Sequence, residues 1–274
     1  MAVVCDTGGV YALYDADGVM LGEGSKDLRA LENTQLNRVF QAFSPVSGYV
    51  DVWTETPGAA FAAYGSVVDA GTGDPTTVMP ETVSPAELYL IAAAGNAAGA
   101  GGSQWATDVE LNNPGATAVS YRFLWLPRDT DNPAPTGSEV LTLAPGASVR
   151  YANVLDSVFG LDGFGALAVA TELAGAIVMS RTSNISATGT FGQSITGLDA
   201  SRLIHSGERR RIVFMSEDDA FRANLGMLNG SAEPTTVRYA LYDADGAMLA
   251  EGSKDLRAYE NTQLNRVLQA FSPV

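Results

Sequence analysis

Cysteine and histidine are almost missing from this chain: Cys5 and His205 stand alone. A single cysteine excludes an internal disulfide, and it belongs to no CxxC or Cys/His spacing. A zinc centre, which needs clustered thiolates and imidazoles, has no donor set here. Any Ser-His-Asp or Cys-His device would have to use His205, which lies between arginines in Leu203–Gly207 with no GxSxG elbow near it. Lysine is scarce, and 16 basic residues face 31 acidic ones for a net charge of −15. Phosphate contacts need clustered Lys and Arg, and the one dense run is Arg209-Arg210-Arg211, so nucleic-acid binding is not expected. No uninterrupted apolar run reaches 18 residues, so no membrane-spanning helix is expected. Nor does a basic stretch followed by an apolar one open the sequence as a secretory signal would. The expectation is either a cytoplasmic protein or a piece of a longer exported one, and the second is favoured by the opening residues Met1–Gly9, which replace what precedes the repeat described next.

What the chain has is repetition. Tyr11 to Val46 recurs, with four substitutions, as Tyr239 to Val274, 228 residues later. The changes (Val19/Ala247, Gly22/Ala250, Leu31/Tyr259, Phe40/Leu268) exchange one apolar or small residue for another in all but one case, where Tyr259 adds a hydroxyl. Such identity is what one full period of a tandem array looks like, cut inside a repeat. Between the copies run short segments rich in Val, Thr, Tyr and Phe, bounded by Gly, Pro or Asn. Gly48–Trp53, Ala59–Asp69, Leu88–Ala93, Trp105–Gly115, Ala118–Pro127 and Glu139–Val154 are examples, with a short helix expected at Val154–Phe159. The helical spacing of Leu36, Val39, Phe40 and Phe43 predicts a second helical cap.

A weaker repeat lies inside the first. Phe221–Asn229 aligns with Trp105–Asn113, and Thr236–Tyr239 with Ala118–Tyr121; Leu28–Val39 falls on Leu143–Val154, and Gly48–Val52 on Gly165–Val169. Each period therefore holds two diverged blocks of sandwich size. The predicted fold is all-β, tandem immunoglobulin-like β-sandwiches with short helical caps. Three units are expected: an incomplete sandwich at 1–86, a complete one at 87–204, and a second incomplete one at 205–274.

The ordered motifs WATDVELNNPG, LAPGASVRYANVLDSVFG, MSRTSN, TGTFGQSI, FRANLGMLNGS and LYDADGAML resemble the paired β-sandwich repeats of bacterial secreted and cell-surface proteins. That resemblance covers nearly the whole chain. It implies an extracellular, non-catalytic module and carries over no ligand or active residue.

Few residues offer chemistry. Asp15 and Asp17, with their copies Asp243 and Asp245, open a DxDG that could hold Ca²⁺, but the further oxygen ligands and bidentate Glu of a calcium loop are missing. The same residues make a hairpin turn with glycine in the left-handed position. No cofactor is expected. Trp53, Trp105 and Trp125 with Tyr49, Tyr64 and Tyr121 pose the alternative of a glycan-binding face, against their use as core. The leading expectation is self-association: an incomplete sandwich exposes strand edges and apolar interior, and head-to-tail completion would build a filament. Tyr11, Leu13, Tyr239 and Leu241 would form that contact from the duplicated hairpins. Phe221, Leu225, Met227 and Phe271 would join it from the C-terminal region.

Overall fold

The structure, a computed structural model, describes residues 7–83 and 85–272, with nothing said of the Thr7, Leu173 and Ala174 side chains. Cys5 lies outside the described residues. Strand makes up 49% of the described residues and helix 7%, which establishes the all-β class. In chain order the strands are β1 (Thr7–Asp15), β2 (Met20–Leu28), β3 (Gly48–Thr54), β4 (Gly65–Val68) and β5 (Pro75–Val78). Next come β6 (Pro85–Ala98), β7 (Gln104–Asn112), β8 (Val119–Pro127), β9 (Thr136–Gly137), β10 (Leu141–Leu143) and β11 (Ser148–Tyr151). The helix α1 (Val154–Phe159) follows, then β12 (Gly163–Gly175), β13 (Ile177–Ser186) and β14 (Gly189–Thr196). The last four strands are β15 (Leu225–Leu228), β16 (Thr235–Tyr242), β17 (Met248–Leu256) and β18 (Asn261–Leu264).

The middle of the chain forms one nine-stranded antiparallel sheet in the order β10-β8-β12-β6-β7-β13-β14, with β11 on β7 and β9 on β8. Long β6 joins its two halves, pairing β12 along its length and β7 only at Asn96–Ala98. Ile91, Phe123, Leu167 and Val169 from one half and Val109, Leu111 and Val178 from the other form a single buried cluster, closed at one end by Val154 and Leu155 of α1. The halves therefore face each other across a core. Period-two alternation of apolar and polar residues, as in Val119–Pro127, supplies the inward side chains.

Smaller sheets flank this centre. The N-terminal region holds a three-stranded sheet β2-β1-β3 and the hairpin β4-β5; the C-terminal region holds the pairs β16-β17 and β15-β18. The two copies of the duplicated hairpin fold alike. Both ladders slip at the same place, between Leu13 and Tyr14 and between Leu241 and Tyr242. Tyr11 and Tyr239 each lie across a glycine, Gly24 and Gly252, where an added Cβ would fall 2.4 and 2.5 Å from the phenol oxygen. An alanine there would displace the ring.

Two expectations change. Ala59–Asp69 is a strand only over Gly65–Val68, although residues 59–64 keep the alternating half-buried and exposed pattern of one. The predicted helix around Leu36–Phe43 is reduced to a 3₁₀ turn at Gln41–Phe43, because Arg38 sits at φ 53°, outside helical space. Among the described residues no helix is long and apolar enough to cross a membrane.

Candidate assembly interface

The weaker internal repeat is visible in strand register. In the middle sheet β11 pairs β7 with Ser148 opposite Asn112 and Tyr151 opposite Val109. β18 pairs β15 in the same frame, Asn261 opposite Leu228 and Leu264 opposite Leu225. Buried Asn113 donates to the carbonyls of Thr117 and Ala144 and accepts from the Gly115 amide. Buried Asn229 repeats each bond, donating to Glu233 and Arg257 and accepting from Ser231. Three residues at one equivalent position, Arg38, Asn153 and Arg266, all take positive φ. From that position Asn153 reaches Asn96, and Arg266 reaches the buried carboxylate of Glu217 at 2.7 Å. Those contacts match Glu217 with Asn96, and so the segment ahead of β15 with β6.

The register corrects one alignment. β12 pairs β8 with Val169 opposite Phe123 and Gly165 opposite Pro127. β3 pairs β1 with Val52 opposite Tyr11 and Gly48 opposite Asp15. Tyr11 and its duplicate Tyr239 thus stand where Phe123 stands, two residues from the Tyr121 that sequence matching chose. The shared Val-x-Tyr of residues 119–121 and 237–239 draws the sequence alignment; the ladder decides otherwise.

With the blocks superposed strand for strand, their gaps become specific. In the middle sheet β12 is flanked by β8 and β6, and β7 is flanked by β11 and β13. In the C-terminal region β16 pairs only β17, and β15 pairs only β18, among the described residues. Ile212 and Val213, in the segment matched to β6, are 66% and 73% exposed, and Phe214 is fully exposed at φ 68°. A bulky side chain in that region of backbone space is strained. In the N-terminal region β3 is an edge strand, and Val50 and Val52 are 39% and 38% exposed, whereas Leu167 and Val169 at the matching places of β12 are sealed in the core.

The predicted contact residues divide accordingly. Leu13 is buried beneath β3's ladder and Tyr11 half-buried; Tyr239 and Leu241, the same residues without a neighbour equivalent to β3, are half-buried. Leu225 and Met227 face Leu264 and Thr262 across the β15-β18 pair and are half-buried, as is Phe271; Phe221 is exposed. Sequence pattern does not single out the exposed Val50, Val52 and Ile212. Val50 and Val52 are plain β alternation, and only the match of β3 to β12 would have singled them out.

The flanking regions dock on the middle sheet by polar contacts. Asp69 of the β4-β5 turn accepts from the amides of Gly71 and Thr72 and from the amide and hydroxyl of Thr190, and these bonds lower its pKa to about 2. Asp74 meets Arg181 at 3.1 Å. On the other side Asn261 donates to the carbonyls of Leu126 and Pro127, Asn132 donates to that of Tyr259, and Thr262 donates to Asp129. Glu217 is held below the usual carboxylate range by the Ala223 amide and Arg266, and Glu260 by Arg257.

The remaining candidates are placed as follows. Asp15 accepts from the Asp17 and Val19 amides, and Asp243 from that of Ala247, so these carboxylates close hairpin turns. No grouping of three or more potential metal ligands occurs among the described residues. The His205 ring hydrogen-bonds the Ala200 carbonyl at 2.9 Å on the surface. Tyr121 and Trp125 are core residues, Tyr49 stacks on Tyr14, the Trp105 indole donates to Ser103, and Trp53 and Tyr64 are exposed. An apolar cavity of about 210 Å³ between the middle sheet and Tyr259 is lined by Leu88, Leu124, Leu126, Pro135 and Ala168, without carboxylate or imidazole.

No family model matches the chain, and no curated protein matches it. Among solved structures it is similar to one described as "Crystal Structure of Thermotoga maritima 1070", at 12% identity and a TM-score of 0.33, over 42% of this chain and 94% of that one. A likeness of that size adds nothing to the reading of the fold.

Proposed function

We propose that this is a non-enzymatic structural or adhesive repeat protein of the cell exterior, built of immunoglobulin-like β-sandwiches, that associates head to tail by completing divided sandwiches. One observation carries the reading: the C-terminal region has open edges at the places where the middle sheet holds β12 and β13, and residues 47–80 carry the strands that match them. Unpaired N–H and C=O rows beside exposed apolar side chains drive strand addition. Because the donating and accepting surfaces lie on different parts of the chain, the contact is heterologous and propagates as a filament. The exterior location rests on the resemblance to bacterial surface repeats.

Negative-stain electron microscopy of the concentrated protein tests this. Fibres are expected, and deletion of residues 239–274 is expected to leave soluble monomers. Monodisperse particles of one chain at high concentration would contradict it.

A further inference from the structure

The assembly reading leaves open which strand crosses between copies and in what frame. Resting on that reading, we infer that β3 of one copy inserts into a second copy between β16 and Ile212–Met215, with Val52 opposite Tyr239 and Val50 opposite Ile212.

Three independent features of the structure converge on this frame. β16 repeats β1 from Tyr239 to Asp243 without a change, and β1 already pairs β3 with Tyr11 opposite Val52. The edge that β16 leaves open is thus one whose fit to β3 is present in this molecule. On the other side, the match of Glu217 to Asn96 sets Ile212 on Ile91, and Ile91 lies opposite Leu167 of β12, the counterpart of Val50. Both edges give one register for the same strand. Burial agrees: Ile91, Phe123, Leu167 and Val169 are sealed in the middle core, while their counterparts Ile212, Tyr239, Val50 and Val52 are exposed or half-buried. Insertion would put all four on one interior face.

Charge is complementary in the same frame. Leu90 lies opposite Ala168, which places Asp51 beside Arg211, the end of the one dense basic run in a chain of net charge −15. No cation pairs with Asp51 among the described residues, and burial lifts its carboxyl above the usual range.

The exchange also has a direction. β3 must leave β1 to take β16, and the two differ just ahead of their shared sequence. β1 carries Gly8 and Gly9 where β16 carries Thr236 and Val237. Glycine weakens a strand, while Thr and Val favour it. The second copy therefore offers β3 a better neighbour than its own chain does, and Phe214, freed from its left-handed backbone, becomes part of a ladder.

The test is disulfide trapping in the full chain with Cys5→Ser. Val52→Cys with Tyr239→Cys, oxidised at high concentration, is expected to give a ladder of linked oligomers on a non-reducing gel that reductant collapses. Asp51→Cys with Tyr239→Cys, one residue out of frame and on the opposite face, is expected to give none. Filaments without the 52–239 link would overturn this register and leave the assembly reading standing; a chain that never associates would sink that reading. A link confined to monomers, or a Val50→Cys to Ile212→Cys link between chains without the 52–239 link, would overturn the exchange. Should the cysteine variants not fold, Asp51→Lys is expected to abolish oligomers and Asp51→Lys with Arg211→Glu to restore them; oligomers unaffected by Asp51→Lys would overturn the inference.

Discussion

Residues 28–43 and 256–271 are nearly the same sequence in two different settings. In the C-terminal copy Leu256, Ala258, Glu260, Asn261, Thr262 and Leu268 are buried; in the N-terminal copy the same positions run half-buried or exposed, and Leu31 is 93% exposed. Asn261–Leu264 is a strand on β15, whereas Asn33–Leu36, letter for letter identical, is in no ladder. Arg266 binds the buried carboxylate of Glu217, and Arg38 makes no ion pair among the described residues. Propensity is equal in the two copies, so it cannot be what makes the strand. The partner decides: β15 and the 126–132 edge of the middle sheet stand beside one copy only. β-structure at this site is a property of the pair.

The reverse asymmetry holds for the preceding hairpin. β1 has β3 beside it and buries Ala12 and Leu13; β16 lacks such a neighbour and leaves Ala240 and Leu241 half-buried. Each copy is thus satisfied where the other is open.

Paired substitutions sharpen the contrast. Leu256→Ala empties a fully packed position and is expected to cost about 2–5 kcal/mol, while Leu28→Ala, half-exposed, costs clearly less. Urea unfolding of the two variants measures the difference, and equal losses would break the comparison. Next in size is Asn261→Ala, which leaves the Leu126 carbonyl without its donor and is expected to cost about 1–3 kcal/mol. Its twin Asn33→Ala should stay within about 0.5 kcal/mol of the parent. If Asn33→Ala costs as much as Asn261→Ala, the N-terminal segment is packed after all.

The smallest effect concerns the N-terminal region's own dock. The Asp69 carboxyl is lowered to about 2 by the bonds that tie β4-β5 to Thr190. A group whose folded pKa is depressed stabilises above its unfolded value, about 3.9, and that contribution fades as pH falls toward 2. Hydrogen exchange at the Thr190 and Gly71 amides is therefore expected to quicken through that window. In Asp69→Asn it should be fast already at neutral pH and lose this pH step; an unchanged step would mean that Asp69 does not hold the hairpin.

Much of this architecture could be read from the sequence, and the failures have physical causes. The hairpins were legible because Asp15–Gly18 and Asp243–Gly246 carry turn chemistry that acts locally, and α1 falls on Val154–Phe159 as its pattern predicts. The irregular stretch at 59–64 kept strand alternation in its burial yet has no ladder, since alternation records a face and not a neighbour. Leu36–Phe43 read as a helix because spacing cannot show the left-handed backbone at Arg38. The duplication singles out Leu13 and Tyr11, yet the structure packs both inside their own sheet, opposite Val50 and Val52. The exposure of Val50, Val52 and Ile212 stands out only when β3 and the 212–215 segment are set against β12 and β6.

Sedimentation velocity of the unsubstituted full chain over a concentration series tests the central claim most directly. Complementary open edges predict a progression of larger species that grows as concentration rises. A single one-chain boundary at every concentration would contradict the account.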